Sequence, residues 1–152
     1  MVGILIIDPP DVTRKHNKQS SWKRTAILQF PGDETDKMWR WYIKKRYGLE
    51  LNQPLRQCHI TIVNDRYQDT AKWNEFKSKF NHTNININVS RELRSNGEHW
   101  WLRVDENEEI KAIRTFLNLG EPFFKYHLTI GLANSRNIKH SQYILRQILN
   151  YY

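Results

Sequence analysis

The sequence predicts one α+β domain built on a mainly antiparallel sheet. Segments that alternate apolar and polar residues, as half-buried strands do, interleave with segments of helical periodicity. The turn residues Ser95-Asn96-Gly97 separate two such strand segments, which indicates a hairpin and therefore antiparallel pairing. A chain of 152 residues that is 39% hydrophobic can bury a core of its own. An approximate repeat of strand, helix and strand indicates two similar lobes, over about 22–80 and about 84–152.

The N-terminal segment, residues 1–21, is assigned to neither lobe. Residues 1–7 are apolar, but they lack the basic region and the small-residue cleavage site of a signal peptide. Residues 8–23 contain Asp-Pro-Pro, a basic polar run and Ser20-Ser21, which predicts a loop or a flexible arm. No apolar run reaches the length that crosses a bilayer, so we expect no membrane partner.

Six strands are predicted from alternation and from the turn residues at their ends. The first stops at Pro31-Gly32, and the third alternates three β-branched residues with three asparagines. Two more lie on either side of Ser95-Asn96-Gly97 and form the hairpin. The predicted strands cover 25–30, 58–63, 84–89, 91–94, 98–104 and 126–131.

Four helices are predicted from apolar residues at helical spacing and from charges that suit the helix ends. The first starts at Asp33 and ends before Gly48, and the second follows Asp69 or Thr70 as its N-cap. The third is acidic at its start and stops at Gly120. The predicted helices cover 33–47, 71–80, 105–119 and 141–151. We expect the apolar stripe of the first helix to pack in the core, and it consists of Met38, Trp41 and Tyr42.

Two matching tetrapeptides point to catalysis. His59-Ile60-Thr61-Ile62 lies in one predicted strand, and His127-Leu128-Thr129-Ile130 lies in another, 68 positions later. Because alternate side chains of a strand share a face, each histidine and threonine point one way and the apolar residues point the other way. Two such strands, brought together, would present two imidazoles and two hydroxyls to one cleft. Imidazoles serve as base or acid near neutral pH, and hydroxyls donate to developing charge.

Net charge and cysteine content indicate which ligands and which cellular compartment suit this site. The formal net charge of +8 favours anionic partners such as nucleotides, RNA or acidic surfaces. The single cysteine, Cys58, cannot form an internal disulfide, which suits a reducing compartment. It precedes His59, so we expect it on the core side as a small hydrophobic residue rather than a nucleophile. The expected location is therefore the cytoplasm.

The paired tetrapeptides resemble those of the two-histidine phosphoesterases, also called the LigT-like family. That family carries one His-x-Thr/Ser-x tetrapeptide per lobe, with apolar residues at x, and both copies here match it. The resemblance implies a bilobal fold in which two pseudo-symmetric lobes with antiparallel sheets surround a central cleft and the helices lie outside. It also implies that no metal or other cofactor is needed and that four residues are catalytic: His59, Thr61, His127 and Thr129.

The chain as a whole is similar to a bacteriophage branch of this family, the anti-CBASS nucleases, which degrade cyclic oligonucleotide messengers of bacterial immunity. That likeness implies a phosphodiesterase acting on cyclic di- and trinucleotides with a 2′-hydroxyl, in the cytoplasm of an infected bacterium. Attack of the 2′-hydroxyl on the 3′–5′ bond would give a linear product with a 2′,3′-cyclic or terminal phosphate. No obligatory protein partner follows from the likeness.

Candidate substrate-binding residues are aromatic side chains that can stack on bases and groups that can donate to phosphate. Trp101 and Arg103 come first, since they alternate with the apolar residues of the strand over 98–104. Trp22, at the end of the N-terminal arm, could reach over a neighbouring site. His99 shares the strand face of Trp101.

Three alternatives stay open. A phosphodiesterase for the 2′,3′-cyclic phosphate ends of RNA would use the same tetrapeptides. A basic nucleotide- or RNA-binding module could sequester its ligand without cleaving it. A metal site is the third, although the two histidines lack the further ligands that zinc needs, and neither Asp65 nor Asp105 is convincingly placed. The sequence does not decide which histidine is the base, and we favour His59.

Overall fold

A computed structural model of the protein describes residues 1–10, 24–54, 56 and 58–149. Within these residues it has seven strands: β1 (Val2–Ile7), β2 (Ala26–Gln29), β3 (His59–Val63), β4 (Asn84–Asn86), β5 (Val89–Ser95), β6 (His99–Val104) and β7 (His127–Leu132). It also has four helices: α1 (Thr35–Tyr47), α2 (Thr70–Phe80), α3 (Glu108–Phe116) and α4 (Ile138–Leu149). None of the helices in these ranges is long and apolar enough to cross a membrane.

The seven strands form one antiparallel sheet in the order β4-β1-β2-β3-β7-β6-β5. The outermost strands, β4 and β5, follow one another in the chain with only Ile87 and Asn88 between them. In a flat sheet these edges would lie roughly 29 Å apart, at about 4.8 Å per strand, whereas the three steps from Asn86 to Val89 span at most about 10 Å. The sheet is accordingly curled into a half-barrel. The predicted α+β class with an antiparallel sheet is confirmed.

The four helices cover one face of this sheet. Leu28 of β2, Ile60 of β3 and Leu128 of β7 belong to one buried cluster. The same cluster contains residues from all four helices, namely Ile43, Trp73, Phe76, Ile110, Ile113, Ile144 and Ile148. Alternate strand residues therefore point to the opposite face, away from the helices.

The helix ends follow local capping chemistry. Asp69 accepts a hydrogen bond from the Lys72 amide at 3.0 Å and caps α2, as predicted. Gly48 ends α1 in the left-handed conformation, with φ of 67°. Asp33 lies before α1 rather than inside it, because its carboxylate accepts from the amide of Thr35 at 2.7 Å. The predicted ends of α1 and α2 are within two residues of the observed ones. α3 is three residues shorter at each end than predicted and stops at Leu117 rather than at Gly120, and α4 begins three residues earlier than predicted.

The predicted core stripe of α1 is wrong. Met38, Trp41 and Tyr42 are 68%, 63% and 44% exposed. The opposite side of the helix is the one that packs, and there Arg40 pairs with the buried Asp36 at 2.6 Å and donates to the carbonyl of Ile130 in β7 at 2.7 Å. A polar contact thus helps to orient this helix, and a hydropathy pattern cannot predict such a contact.

The N-terminal segment contributes a strand that the sequence analysis missed. β1 pairs with β2 on one side and with β4 on the other. Both faces of β1 are apolar, so no alternation marks it in the sequence. The predicted strand over 84–89 is also shorter than expected, because β4 ends at Asn86 where the chain passes to the other edge of the sheet. β4, grouped by sequence with the second lobe, thereby lies beside the strands of the first.

Candidate active site

The two histidine strands are neighbours in the sheet. β3 and β7 are antiparallel, and Ile60 and Leu128 are paired residues. Both side chains are fully buried on the face that the helices cover. Because successive residues of a strand point to opposite faces, the residues on either side of this pair lie on the other face, which we name the histidine face. The side chains it carries at this point are His59, Thr61, His127 and Thr129.

The register sets the two histidines diagonally across the strand pair. Counting outwards by one residue from the buried pair places His59 opposite Thr129 and Thr61 opposite His127. Side chains directly opposite one another have Cβ atoms roughly 4.5–5.5 Å apart, and diagonal neighbours roughly 7–8 Å. This register therefore sets each histidine opposite a threonine of the other strand, on the same face of the sheet.

One hydrogen bond orients the second histidine. Nδ1 of His127 lies 2.8 Å from the carbonyl oxygen of Lys125. Because a carbonyl only accepts, the hydrogen is on Nδ1, and Nε2 is the nitrogen left for a ligand. His127 and His59 are both half-buried, so each ring is partly supported and partly accessible.

Trp101 and Arg103 lie beside the tetrapeptide of β7. In the pairing of β6 with β7, Trp101 is opposite Thr129 and Arg103 is opposite His127. The indole meets the imidazole of His127 edge-on, with ring centroids 6.1 Å apart. Arg103 is exposed and pairs loosely with two acidic side chains, Glu92 at 3.7 Å and Asp105 at 3.5 Å, so part of its charge is already compensated.

The other two predicted substrate-binding residues are placed differently. His99 pairs with Leu132, beyond a register shift between Trp100 and Trp101, so it lies further along the histidine face than the tetrapeptides. It is half-buried. Trp22 lies outside the described residues.

On the other side of β3, sequence analysis missed a glutamine. Gln29 of β2 is paired with His59, and Ile27 is paired with Thr61. Paired residues of antiparallel strands share a face, so the half-buried Gln29 amide lies next to the first imidazole. Its only sequence signal is that it is the one polar residue of the strand Ala26–Gln29.

Two exposed phenylalanines before β7 were also missed. Phe123 and Phe124 are 93% and 73% exposed and pack edge-to-face, with centroids 4.8 Å apart. They directly precede Lys125, whose carbonyl holds the ring of His127. Large apolar side chains this exposed are uncommon, and two of them next to a candidate catalytic residue suit contact with a ligand.

The expectation for Cys58 is confirmed. The residue is buried on the helix-covered side, and burial, with the nearby carboxylate of Asp36, raises the pKa of its thiol to about 12. The thiol is therefore protonated at neutral pH and is a poor nucleophile. Tyr126 is likewise buried away from His127, and burial raises the pKa of its phenol to about 12.

The acidic residues considered as metal ligands have other partners. Asp65 forms a two-pronged ion pair with Arg114, at 2.9 and 2.8 Å, and these hydrogen bonds lower the pKa of the carboxyl. Asp105 pairs with Arg103. Across residues 1–10, 24–54, 56 and 58–149, no three side chains of histidine, cysteine, aspartate or glutamate are grouped to hold a metal ion.

The chain was also compared with known proteins. No family model, curated protein or solved structure matches it. The chemistry of the site therefore has to be inferred from the residues and their arrangement.

Proposed function

We propose that the protein is a metal-independent phosphodiesterase that cleaves the 3′–5′ bonds of cyclic di- and trinucleotides. One observation carries the proposal: the pairing of Ile60 with Leu128 turns both His-x-Thr tetrapeptides to one face and sets their histidines on a diagonal. Two imidazoles and two hydroxyls on one face are the groups needed to move a phosphoryl group onto a neighbouring 2′-hydroxyl.

The proposal includes membership of the two-histidine phosphoesterases and their bilobal fold. Ile60 and Leu128 hold the same position in the two tetrapeptides, and they are opposite one another in an antiparallel pair. Such a pair has a local twofold axis passing between its two residues. Under the proposal this axis relates the two lobes, and the β3–β7 contact is the boundary between them.

The first step transfers the phosphoryl group within the substrate. His59, as base, takes the proton of the 2′-hydroxyl, and the 2′ oxygen forms a bond to phosphorus. The bond from phosphorus to the 5′ oxygen breaks, and His127, as acid, gives its proton to that oxygen. The product is linear, with a 2′,3′-cyclic phosphate and a 5′-hydroxyl. In the second step water attacks the cyclic phosphate with the two roles reversed, which leaves a terminal phosphate.

The environment of His127 supports its assignment as the acid. The Lys125 carbonyl accepts from Nδ1–H, so the ring delivers a proton from Nε2 without changing its tautomer. The hydroxyls of Thr61 and Thr129 can donate to the non-bridging phosphate oxygens, where negative charge builds up in the transition state. The proposed setting is the cytoplasm of an infected bacterium, where this activity would let a phage evade CBASS defence.

The test uses the full chain with cyclic 3′,3′-diadenylate in the presence of EDTA, followed by chromatography and mass spectrometry. The linear 2′,3′-cyclic phosphate is an isomer of the substrate, so chromatography must separate it, whereas the terminal phosphate is heavier by one water. We expect both products, and no product from the 2′-deoxy analogue. Loss of activity in EDTA, or cleavage of the 2′-deoxy analogue, would refute the mechanism.

Matched variants assign the activity to the site. We expect His59→Ala and His127→Ala to abolish turnover while the circular dichroism spectrum is unchanged. His140→Ala is the control, because His140 is exposed on α4, outside the histidine face, and its ring nitrogen Nε2 lies 3.1 Å from the carbonyl oxygen of Tyr47. An RNA ending in a 2′,3′-cyclic phosphate is assayed in parallel. If the terminal cyclic phosphate of that RNA is hydrolysed and the cyclic dinucleotide is not, a phosphodiesterase for RNA ends replaces the cyclic-nucleotide proposal. Binding of either ligand without turnover would indicate sequestration.

A further inference from the structure

A second polar feature lies beyond the histidines, at the C-terminal end of β7. A cleft of about 550 Å³ opens between Arg40 in the middle of α1, the loop that follows this helix and the segment after β7. Its volume is within the range of roughly 300–1,000 Å³ that is usual for small-molecule sites. Its polar lining includes Arg40, Asn52, Gln53 and Arg136.

Backbone pairing ties this cleft to the histidine face. Asn52 forms an isolated antiparallel bridge with Leu132, with two backbone hydrogen bonds of 2.8 and 3.0 Å. Leu132 in turn pairs with His99 of β6, on the face that carries Trp101. Paired residues share a face, so the side chain of Asn52 is on the histidine face.

Asn52 and β3 both flank β7 on the side away from β6, at different points along β7. β3 is paired with β7 at Leu128, and Asn52 is paired with it at Leu132. Leu132 is three positions beyond Thr129, which is opposite His59, and three steps are roughly 10 Å along a strand. The cleft therefore begins roughly 10 Å along β7 from the proposed position of the scissile phosphate.

Three side chains of the lining are available for a ligand. The side chains of Asn52, Gln53 and Arg136 are exposed, and they make no hydrogen bond or ion pair within the described part of the chain. Other polar groups of the lining are already engaged. Asn137 donates to the carbonyl of Glu50 at 2.6 Å, and Arg40 is held by its ion pair and by β7.

The composition of the lining favours a neutral polar ligand over a second phosphate. A carboxylate, Glu50, belongs to the lining, and Arg40 is paired with Asp36, which leaves Arg136 as the one cation of the lining without a partner among the described residues. Amide side chains both donate and accept, as the edges of purine bases do, and Asn and Gln bind adenine through two hydrogen bonds.

We propose that this cleft binds a purine base of the substrate, next to the cleaved phosphate, through the amides of Asn52 and Gln53. The inference rests on the proposed function and adds to it the residues that set base preference. Recognition by the cleft then favours cyclic nucleotides that carry a purine next to the cleaved phosphate. Substrates with only pyrimidines depend on stacking and phosphate contacts alone.

The test compares cyclic diadenylate with cyclic diuridylate, which differ only in their bases. We expect Asn52→Ala and Gln53→Ala each to lower kcat/KM for cyclic diadenylate about tenfold and to leave that for cyclic diuridylate within about twofold. Asn74→Ala is the control, since Asn74 is an exposed amide on α2, outside the cleft. An equal loss on both substrates, or no loss on either, would overturn the inference.

A binding experiment separates this inference from the proposed function. Cyclic diadenylate is titrated calorimetrically into the variant with both His59→Ala and His127→Ala, with and without Asn52→Ala. We expect Asn52→Ala to weaken binding about tenfold even though neither protein turns over. Unchanged affinity refutes base recognition by the cleft, whereas weakened binding with no turnover in the wild-type protein refutes only the proposed catalysis.

Discussion

The indole of Trp101 meets the imidazole of His127 edge-on, with the ring centroids 6.1 Å apart and the ring planes at 62°. Trp101 is opposite Thr129 in the sheet, so it borders the tetrapeptide of β7 on the side away from β3. It is half-buried, which leaves part of its ring surface accessible. The tryptophan is thus held next to the proposed acid and can still contact a base.

Replacement of Trp101 should weaken substrate binding more than it slows the chemical step. A base stacked on an aromatic ring contributes roughly 1–3 kcal/mol, so we expect Trp101→Ala to raise KM about tenfold and Trp101→Phe to raise it less. Steady-state kinetics with cyclic diadenylate measure this. Trp41→Ala is the control, because Trp41 is exposed on α1. An unchanged KM in Trp101→Ala would show that this indole does not contact the base.

The roles of the two histidines can be separated with an activated substrate. A nucleoside 3′-(4-nitrophenyl phosphate) has a leaving group that needs no proton, so the acid becomes dispensable and the base does not. We expect His127→Ala to retain activity on this ester within about tenfold of the wild-type protein. His59→Ala should lose roughly 10²–10⁴-fold. Nitrophenolate release measures both rates, and the opposite pattern would exchange the two assignments.

The pH dependence of cyclic-nucleotide cleavage should be bell-shaped. A reaction that uses one general base and one general acid slows at low pH, where the base is protonated, and at high pH, where the acid has lost its proton. kcat/KM is measured across pH 5–9, a range of about four units around neutrality. A profile that rises or falls in one direction only would contradict a mechanism that uses both an acid and a base.

The threonine hydroxyls are expected to act in the transition state. Thr129→Val keeps the shape of the side chain and removes the donor, so kcat should fall roughly 10²-fold with little change in KM. Thr129→Ser restores a hydroxyl and should recover most of the rate. Equal activity of the valine and serine variants would assign Thr129 a packing role instead.

The pair formed by Arg114 and Asp65 should contribute to stability in a pH-dependent way. Arg114 is buried and also donates to the carbonyls of Ile62 and Gly120, at 3.1 and 2.7 Å. Asp65→Asn leaves the buried guanidinium without its counter-charge. Because the carboxylate of Asp65 is itself partly exposed to solvent, we expect a loss of about 1–2 kcal/mol in the free energy of unfolding at pH 7. Urea denaturation measures the difference.

The sign of the pH effect follows from the direction of the shift. Arg114 lowers the pKa of Asp65 in the folded state, so the stabilisation is present above the unfolded value of about 3.9 and is lost as pH falls through the folded value. The difference between wild type and Asp65→Asn should therefore shrink as pH falls below about 3.9. A constant difference over this range would mean that the pair does not stabilise the fold electrostatically.

Local pattern predicted which side chains share a face, where α1 ends and where α2 begins. Alternation alone put His59 with Thr61 and against Ile60, and the same holds for the second tetrapeptide. Asp69 marked the start of α2, and Gly48 marked the end of α1. These features depend on residues a few positions apart, so a window of sequence contains them.

Contacts between segments that are distant in the sequence could not be predicted from a short window of residues. The exposed stripe of α1 looked like a core stripe, whereas the face that packs carries the buried Ile43 and also Arg40, which donates to the carbonyl of Ile130. β1 is apolar on both faces and could not be identified by alternation. The bridge between Asn52 and Leu132 is formed by backbone groups, so the side chains in the sequence do not predict it.

By itself the sequence determined that two strands each carry an imidazole and a hydroxyl on one face, because side-chain direction along a strand follows from backbone geometry. Only the tertiary structure decided that these strands are neighbours and that Ile60 lies opposite Leu128. Strand order and register depend on the packing of the whole buried face against the helices, and a shift of either strand by one residue would have turned its histidine into the core.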